Sequence, residues 1–407
     1  MNPIKYLKLP LRYRPWRPTH LRLIIADLAG VSRQPPAQKH KHLEAIIHWL
    51  CCAQDIRDAQ PDRGGVSAGW SFEDGWLPSY PETSGYIVET LLAAAEVLDR
   101  PELVQRAGRI LDWELSLQNP DGSYPGHFGE SGSQPVIFNT GQIIHGMMAG
   151  YHQLERRECL ESAVRAAHWM HEQQDDDGCW RRSVHNGIPH TYNTRTAWAQ
   201  LRAAQAAGDR VLRESAIANL DWARSQQTPS GWYCNNAFTI QAPPFTHNIA
   251  YAIRGSLEGG LAGGGERFVE SALSAAQELM AVQRKDGWLA GTYDDNWVPK
   301  SRYCCLTGLA QAAIIWIRLA REREQPAMAT AASRALDFLK RNHRVDDPDP
   351  RVQGGVAGSA PIWGRYSMFE YPNWAAKFFA DALMMRMEHR TIPPIATTQN
   401  LEPERAP

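Results

Sequence analysis

The chain has 407 residues, and its 43 Lys and Arg face 44 Asp and Glu for a formal net charge of −1. So even a balance gives no dominant field of either sign and argues against nucleic-acid binding as the main role. The seven cysteines, Cys51, Cys52, Cys159, Cys179, Cys234, Cys304 and Cys305, are scattered or adjacent with no CxxC pair, which argues against a zinc ribbon or a disulfide framework and reads as a reducing, cytoplasmic setting.

No Pro/Gly/Ser-rich linker divides the chain. One repeat-built domain is expected over residues 40–388, between a basic arm of residues 1–39 and a Pro-rich tail of residues 389–407 expected to be disordered. The arm carries Lys5, Lys8, Arg12, Arg14, Arg17, Arg22 and Arg33 against the single acid Asp27. Its apolar run, residues 21–28, is interrupted and too short for a membrane span or a signal core. The arm is expected either to pack on its own domain or to touch an anionic membrane surface peripherally.

From residue 40 onward, amphipathic and apolar segments alternate. The amphipathic ones cover residues 40–54, 102–117, 160–173, 212–226, 266–282 and 327–340, with apolar residues at helical spacing and charges opposite. The apolar, small-residue ones begin at Pro81, Asn139, Tyr192, Thr246, Ser301 and Tyr371. A helix that is apolar all round is buried on all sides, so this second set is predicted to be inner and the first outer. The first inner helix follows Tyr80-Pro81, with Thr83 and Ser84 as candidate caps.

A glycine-aromatic loop follows four of the outer segments. It reads Gln118-Asn-Pro-Asp-Gly122-Ser-Tyr124, Gln174-Asp-Asp-Asp-Gly178-Cys-Trp180, Gln227-Thr-Pro-Ser-Gly231-Trp-Tyr233 and Gln283-Arg-Lys-Asp-Gly287-Trp-Leu289. The pattern supplies a glutamine ending a helix, a glycine free to take positive φ and an aromatic folding back over the helix end. It is expected to be structural punctuation. Gly64-Gly-Val-Ser-Ala-Gly-Trp70 and Gly354-Gly-Val-Ala-Gly-Ser359 also match each other, as neighbours in a closed ring would.

These QxxxGxW-like loops with six outer/inner pairs resemble the (α/α)6 toroids. That group holds terpenoid cyclases and protein prenyltransferases on one side, and six-hairpin glycosidases, polysaccharide lyases and uronate epimerases on the other. The resemblance implies an all-α (α/α)6 toroid, but fold alone does not give function. The segments SFEDGWLPSYPETSGY, CLTGLAQAAI and YPNWAAKFFADAL also resemble proteins of bacterial surface-polysaccharide clusters. The terpenoid branch is disfavoured because Asp175-Asp176-Asp177 sits in a helix-ending loop, Asp294-Asp295 lacks the third acid of an Asp-Asp-x-x-Asp motif, and Cys304-Cys305 is no Asp-x-Cys zinc pair.

In such a toroid the residues just before and at the starts of the inner helices ring one mouth. Glu73, Trp76, Tyr80, Asn139, Gln142, Asn193, Arg195, Asn248, Arg302, Tyr303, Tyr371, Asn373 and Trp374 are candidate sugar-binding residues there, with Tyr86, Glu130, His185, Arg365, Tyr366, Glu370 and Lys377 also at the mouth. Aromatic faces stack on sugar C–H faces while amides and charged groups take the hydroxyls. Glycoside hydrolysis asks for two carboxylates, and Asp74 or Glu82 facing Asp295 or Glu370 could supply them. Lyase or C5-epimerase chemistry on a uronic acid asks for a neutral base, a proton donor and a carboxylate partner, types offered by Tyr192, Arg195, His247 and Tyr251. Glycoside hydrolysis is placed first because mouth carboxylates are numerous, uronate lyase or epimerase action second, a non-catalytic glycan-binding toroid third, and terpenoid or prenyl chemistry last. No metal and no cofactor is expected.

Overall fold

The computed structural model describes residues 10–30, 38–129 and 133–387. Lys5, Lys8 and Arg33 of the arm, Glu130 at the mouth and the tail of residues 389–407 lie outside the described residues.

The alternation of the sequence becomes two concentric rings of helices. After α1 (Pro18–Leu28), the outer ring is α2 (Lys39–Asp55), α4 (Glu102–Leu117), α6 (Arg157–Glu172), α8 (Arg210–Ser225), α10 (Glu266–Ala281) and α12 (Pro326–Arg341). The inner ring is α3 (Pro81–Val97), α5 (Ile137–Leu154), α7 (Thr194–Ala207), α9 (Thr246–Gly259), α11 (Leu306–Glu322) and α13 (Asn373–Met387). Each inner helix packs on the next, and α13 packs back on α3, so the ring is closed. Each of the first five inner helices forms its hairpin with the outer helix that follows it, while the last, α13, takes the N-terminal outer helix α2. The sixth pair is thus built from the two ends of the chain.

Small residues set how closely the inner helices approach. A Cβ built on Gly146 of α5 would lie 2.1 Å from the carbonyl oxygen of Gly85 in α3, and one on Gly255 of α9 would lie 2.2 Å from the amide nitrogen of Arg195 in α7. The outer helices bury one stripe only, as at Leu103, Ala107, Ile110 and Leu111 of α4.

The glutamine loops do more than end helices. Gln118 Nε2 donates to the Gly122 carbonyl at 3.0 Å and to the Ser162 carbonyl of the next outer helix at 2.9 Å. Gln174, Gln227 and Gln283 repeat this with Gly178 and Ser215, Gly231 and Ser271, and Gly287 and Ala331. Gln54 does the same with Gly64 and Arg106. At the sixth position His343 replaces glutamine: Nε2 meets the Gly354 carbonyl at 2.9 Å, and Nδ1 lies 2.8 Å from His42 Nδ1 of α2.

Three starts differ from the sequence reading. Residues 301–305 are not yet helical, because β3 (Cys304–Cys305) pairs antiparallel with β4 (Ser359–Ala360) before α11 begins. Tyr371 belongs to β5 (Glu370–Pro372), which pairs with β1 (Gly69–Ser71) beside β2 (Gly75–Trp76) and stitches the last repeat to the first. Tyr192 lies in a short 3-10 turn, Thr191–Asn193, ahead of α7. The α3 N-terminus has no side-chain cap: the Ser84 hydroxyl bonds the Val66 amide and Thr83 donates to the Tyr80 carbonyl.

The described part of the arm packs on the toroid. Arg12 pairs with Glu73, Arg22 is bidentate to Asp347 at 2.6 and 2.9 Å, and Asp27 receives Arg344 at 2.8 Å. Leu21, Ile25 and Leu28 of α1 and the preceding Trp16 face outward. Among the described residues no helix is long and apolar enough to cross a membrane.

Candidate active site

A cavity of about 280 Å³ opens where the inner helices begin. Tyr80, Tyr86, Phe138, Tyr192, Phe238, Phe245, Tyr251, Tyr366 and Trp374 give it aromatic walls, and Glu82, His185, His247, Asn248, Arg365 and Ser367 supply its polar groups. It is at the small end of ligand cavities and is apolar with a few convergent polar groups, as such sites are.

Glu82 is the only carboxylate lining it among the described residues. Pro81 opens α3 and sets Glu82 in the first turn, where the side chain is buried and accepts from the Tyr80 hydroxyl at 2.7 Å. Burial pushes its pKa up to about 7, against the opposing pull of the Tyr80 hydrogen bond and the Arg195 charge. Asn139 joins the same network. With its amide oriented to satisfy its neighbours, the nitrogen donates to Glu82 Oε2 and to His185 Nε2, each at 3.2 Å, and the oxygen accepts from the His127 amide.

Both cavity histidines are held neutral. Burial lowers His185 to about 4 and His247 to about 3, with the Arg195 charge adding to the second. Gln311 Nε2 donates to His247 Nδ1 at 2.7 Å, which leaves the His247 proton on Nε2. His185 accepts from Asn139 at Nε2, so its own proton is on Nδ1. The two rings sit on different walls: His185 beside Phe138 and Phe238, His247 beside Tyr251 and Tyr366. The Tyr192 hydroxyl and both polar atoms of Asn248 have no partner among the described residues, which suits them to a bound ligand's hydroxyls.

Arg195 lies behind the wall. Its guanidinium stands 5.7 Å from the Tyr86 ring centre and 5.3 Å from that of Tyr251, and its Nε donates to Gln142 Oε1 at 2.6 Å. Gln142 and Arg195 therefore act on the cavity through its aromatic lining. Asn193 is buried at the start of α7 and does not line the cavity.

Other residues expected at the mouth are elsewhere. Asp74 is exposed on the loop between β1 and β2, and Glu73 is engaged by Arg12. Asp295 is exposed in a turn where Asn296 donates to it and Lys300 pairs with Asp294. Trp76 packs on Trp49, Tyr303 closes over Gly291 and Gly364, and Arg302 is exposed. Tyr371 is buried against Trp70, and Asn373 bonds the Ser67 carbonyl and the Thr83 hydroxyl. Glu370 is pushed upward by burial but does not line the cavity. The cavity thus assembles Glu82, Tyr192, His247 and Tyr251 with Tyr80, Asn248 and Trp374, and leaves Asp74 and Asp295 outside. Phe138, Phe238, Phe245 and Ser367 were not anticipated. The one signal for the middle two was a pair of aromatics in the long, Pro-containing loop ahead of α9.

Closed double ring and mouth cavity together define an (α/α)6 toroid. Residues 66–257 match the model of the squalene-hopene cyclase C-terminal domain, itself a toroid family. Over 190 residues the chain is 26% identical to drimenyl diphosphate synthase of Streptomyces showdoensis, a match covering 44% of this chain and 33% of that protein. Among solved structures, an unsaturated glucuronyl hydrolase from a Bacillus species superposes with TM-score 0.65 at 16% identity, over 86% of this chain and 97% of its own. A heparin-specific unsaturated glucuronyl hydrolase gives 0.69 at 13% identity over 85% and 96%. Cellobiose 2-epimerase from Bacillus thermoamylovorans gives 0.67 at 12% identity over 86% and 98%.

Proposed function

We propose that this chain is a carbohydrate-active enzyme that moves a proton on and off a uronic-acid sugar in the mouth cavity, by elimination or C5 epimerisation, with Glu82 as the acid–base group. The observation that carries this reading is Glu82 itself, a lone buried carboxyl with a pKa of about 7. Two-carboxylate hydrolysis needs a second acid across the sugar, and the cavity has none among its described lining residues. A carboxyl titrating near neutrality can both take and return a proton at little cost, and the neutral His185 and His247 offer partners on other walls. Arg365 at the lining and Arg195 behind it favour an anionic sugar.

Hydrolysis of an already unsaturated uronyl sugar is the second reading. It is favoured by the same lone carboxyl, since protonating a carbon–carbon double bond requires one acid, and by the activity of the unsaturated glucuronyl hydrolases that share the fold. A terpenoid reading is disfavoured by charge. A guanidinium behind Tyr86 and Tyr251 raises the energy of a carbocation in this cavity, and the stretch matched to cyclases contains three of the structural glutamine loops.

The test is incubation in deuterated water with saturated and unsaturated uronic-acid oligosaccharides, following the absorbance of the unsaturated uronate and deuterium at C5. Rising absorbance means elimination, deuterium without absorbance change means epimerisation, and falling absorbance means the second reading. No change in any signal overturns both. Glu82→Gln is expected to lower the observed rate by about 10²–10⁴.

The proposal extends to a cytoplasmic enzyme of surface-polysaccharide metabolism whose arm touches anionic lipid through Trp16, Leu21, Ile25 and Leu28, which are exposed. Co-sedimentation with anionic vesicles at low salt is expected and should be lost in Leu21→Asp/Ile25→Asp. Equal sedimentation of both proteins, or none of either, refutes that contact.

A further inference from the structure

One turn below the cavity the barrel interior becomes cationic. Arg195, Arg202 and Arg254 surround one indole, with guanidinium carbons 5.6, 5.7 and 5.7 Å from the Trp198 ring centre. Lys377 pairs with Asp381, and Arg202 reaches Glu89 at 2.6 Å and His145 Nδ1 at 2.9 Å. Four cations thus meet two carboxylates. Arg254 makes no hydrogen bond or ion pair among the described residues although it is only 9% exposed, and its Nε and Nη1 are without partners.

The orphaned nitrogens here are donors. Arg202 donates to His145 Nδ1, so the unpartnered His145 Nε2 carries the proton. Arg195 Nη1 and Gln142 Nε2 are likewise unpartnered and buried. Leaving such buried donors unpaired and two positive charges uncompensated is destabilising unless an acceptor of opposite charge joins them. Water reaches the layer, since the Glu89 and Arg202 side chains keep 25% and 14% of their surface. None of Glu89, His145, Arg202 or Arg254 lines the mouth cavity.

We propose that this layer is an oxyanion site, distinct from the Glu82 cavity, in which Arg254, Arg195 and the Nε2–H of His145 hold a carboxylate or a phosphate. Its complement is set by donors without acceptors and by the excess of two positive charges. It stands whatever reaction Glu82 performs, because nothing in it depends on a proton at the mouth.

The experiment is thermal unfolding and calorimetry of the full chain at fixed ionic strength, with chloride exchanged for inorganic phosphate or glucuronate and with glucose as the neutral control. Wild type is expected to show a saturable rise in Tm with at least one anion and none with glucose. A glucuronate response that Arg254→Met weakens assigns the site to a sugar carboxylate, and a phosphate response alone assigns it to a phosphoryl group. Arg254→Met should weaken that binding about ten- to a hundredfold, the loss of a charged hydrogen bond. Absence of a saturable anion effect in wild type, or equal affinity in Arg254→Met, overturns the proposal. Should Arg254→Met not fold, Arg254→Gln, which keeps a donor without the charge, is read in its place.

Discussion

Tyr80 is extended ahead of Pro81, and its side chain lies over the first turn of α3, where its hydroxyl meets the Glu82 carboxyl. The competing role for a first-turn glutamate, satisfying the amides of its own helix, is not taken up. The folded state raises this group from 4.5 to about 7. The associated stability is therefore present below the free carboxyl's pKa and lost as pH rises through about 7. Glu82→Gln is expected to stabilise the protein by on the order of 1–3 kcal/mol near pH 8 and to change little near pH 5, read by denaturant unfolding. A pH-independent effect would refute the assignment. At this scale the sequence was half legible. The cavity positions of Glu82, His247 and Tyr251 follow from their place in the first two turns of inner helices. Asp74 and Asp295 do not, because the loops bearing them are diverted, one into the β1–β2 hairpin and the other into an exposed turn held by Lys300. Loop residues carry no period from which their direction can be read.

The repeating element is best seen in its variant. Five glutamines each tie a loop glycine to the next outer helix, and at the seam His343 takes that place against His42. Nε2 of His343 donates to the Gly354 carbonyl, so its Nδ1 accepts from His42 Nδ1–H and a second proton on His343 would oppose that donor, while His42 Nε2 is buried without a partner among the described residues. Burial lowers His42 to about 3 and His343 to about 4. The linked stability is present above the free imidazole's pKa and is lost as pH falls toward those values. His343→Gln should restore the common pattern and reduce the acid sensitivity, giving a higher Tm than wild type near pH 5 and a similar one near pH 7. An unchanged pH profile would sink the idea. Between inner helices the constraint is steric. Gly146→Ala places a methyl against the Gly85 backbone and is expected to cost about 1–3 kcal/mol in denaturant unfolding. No loss would mean that α3 and α5 can separate freely.

The whole ring was legible because its signal is long-period: six amphipathic segments alternating with six apolar ones allow few other architectures. Two features were not. Hairpin partners cannot be told from alternation alone, so the pairing of α13 with α2 required the structure. Nor does periodicity reveal the β1–β5 stitch, whose strands are only three residues long. Contacts across this seam join residues far apart in sequence, with His42 and His343 separated by 301 positions and Arg22 and Asp347 by 325. Such contacts form only after the largest loss of chain entropy. The seam also has a consequence on the ribosome. Tyr80 and Glu82 emerge early and Trp374 late, so the nascent chain carries this carboxyl for most of synthesis without the last wall of the cavity that buries it. A product terminated anywhere before the sixth inner helix would have the Glu82 carboxyl but not the closed cavity around it.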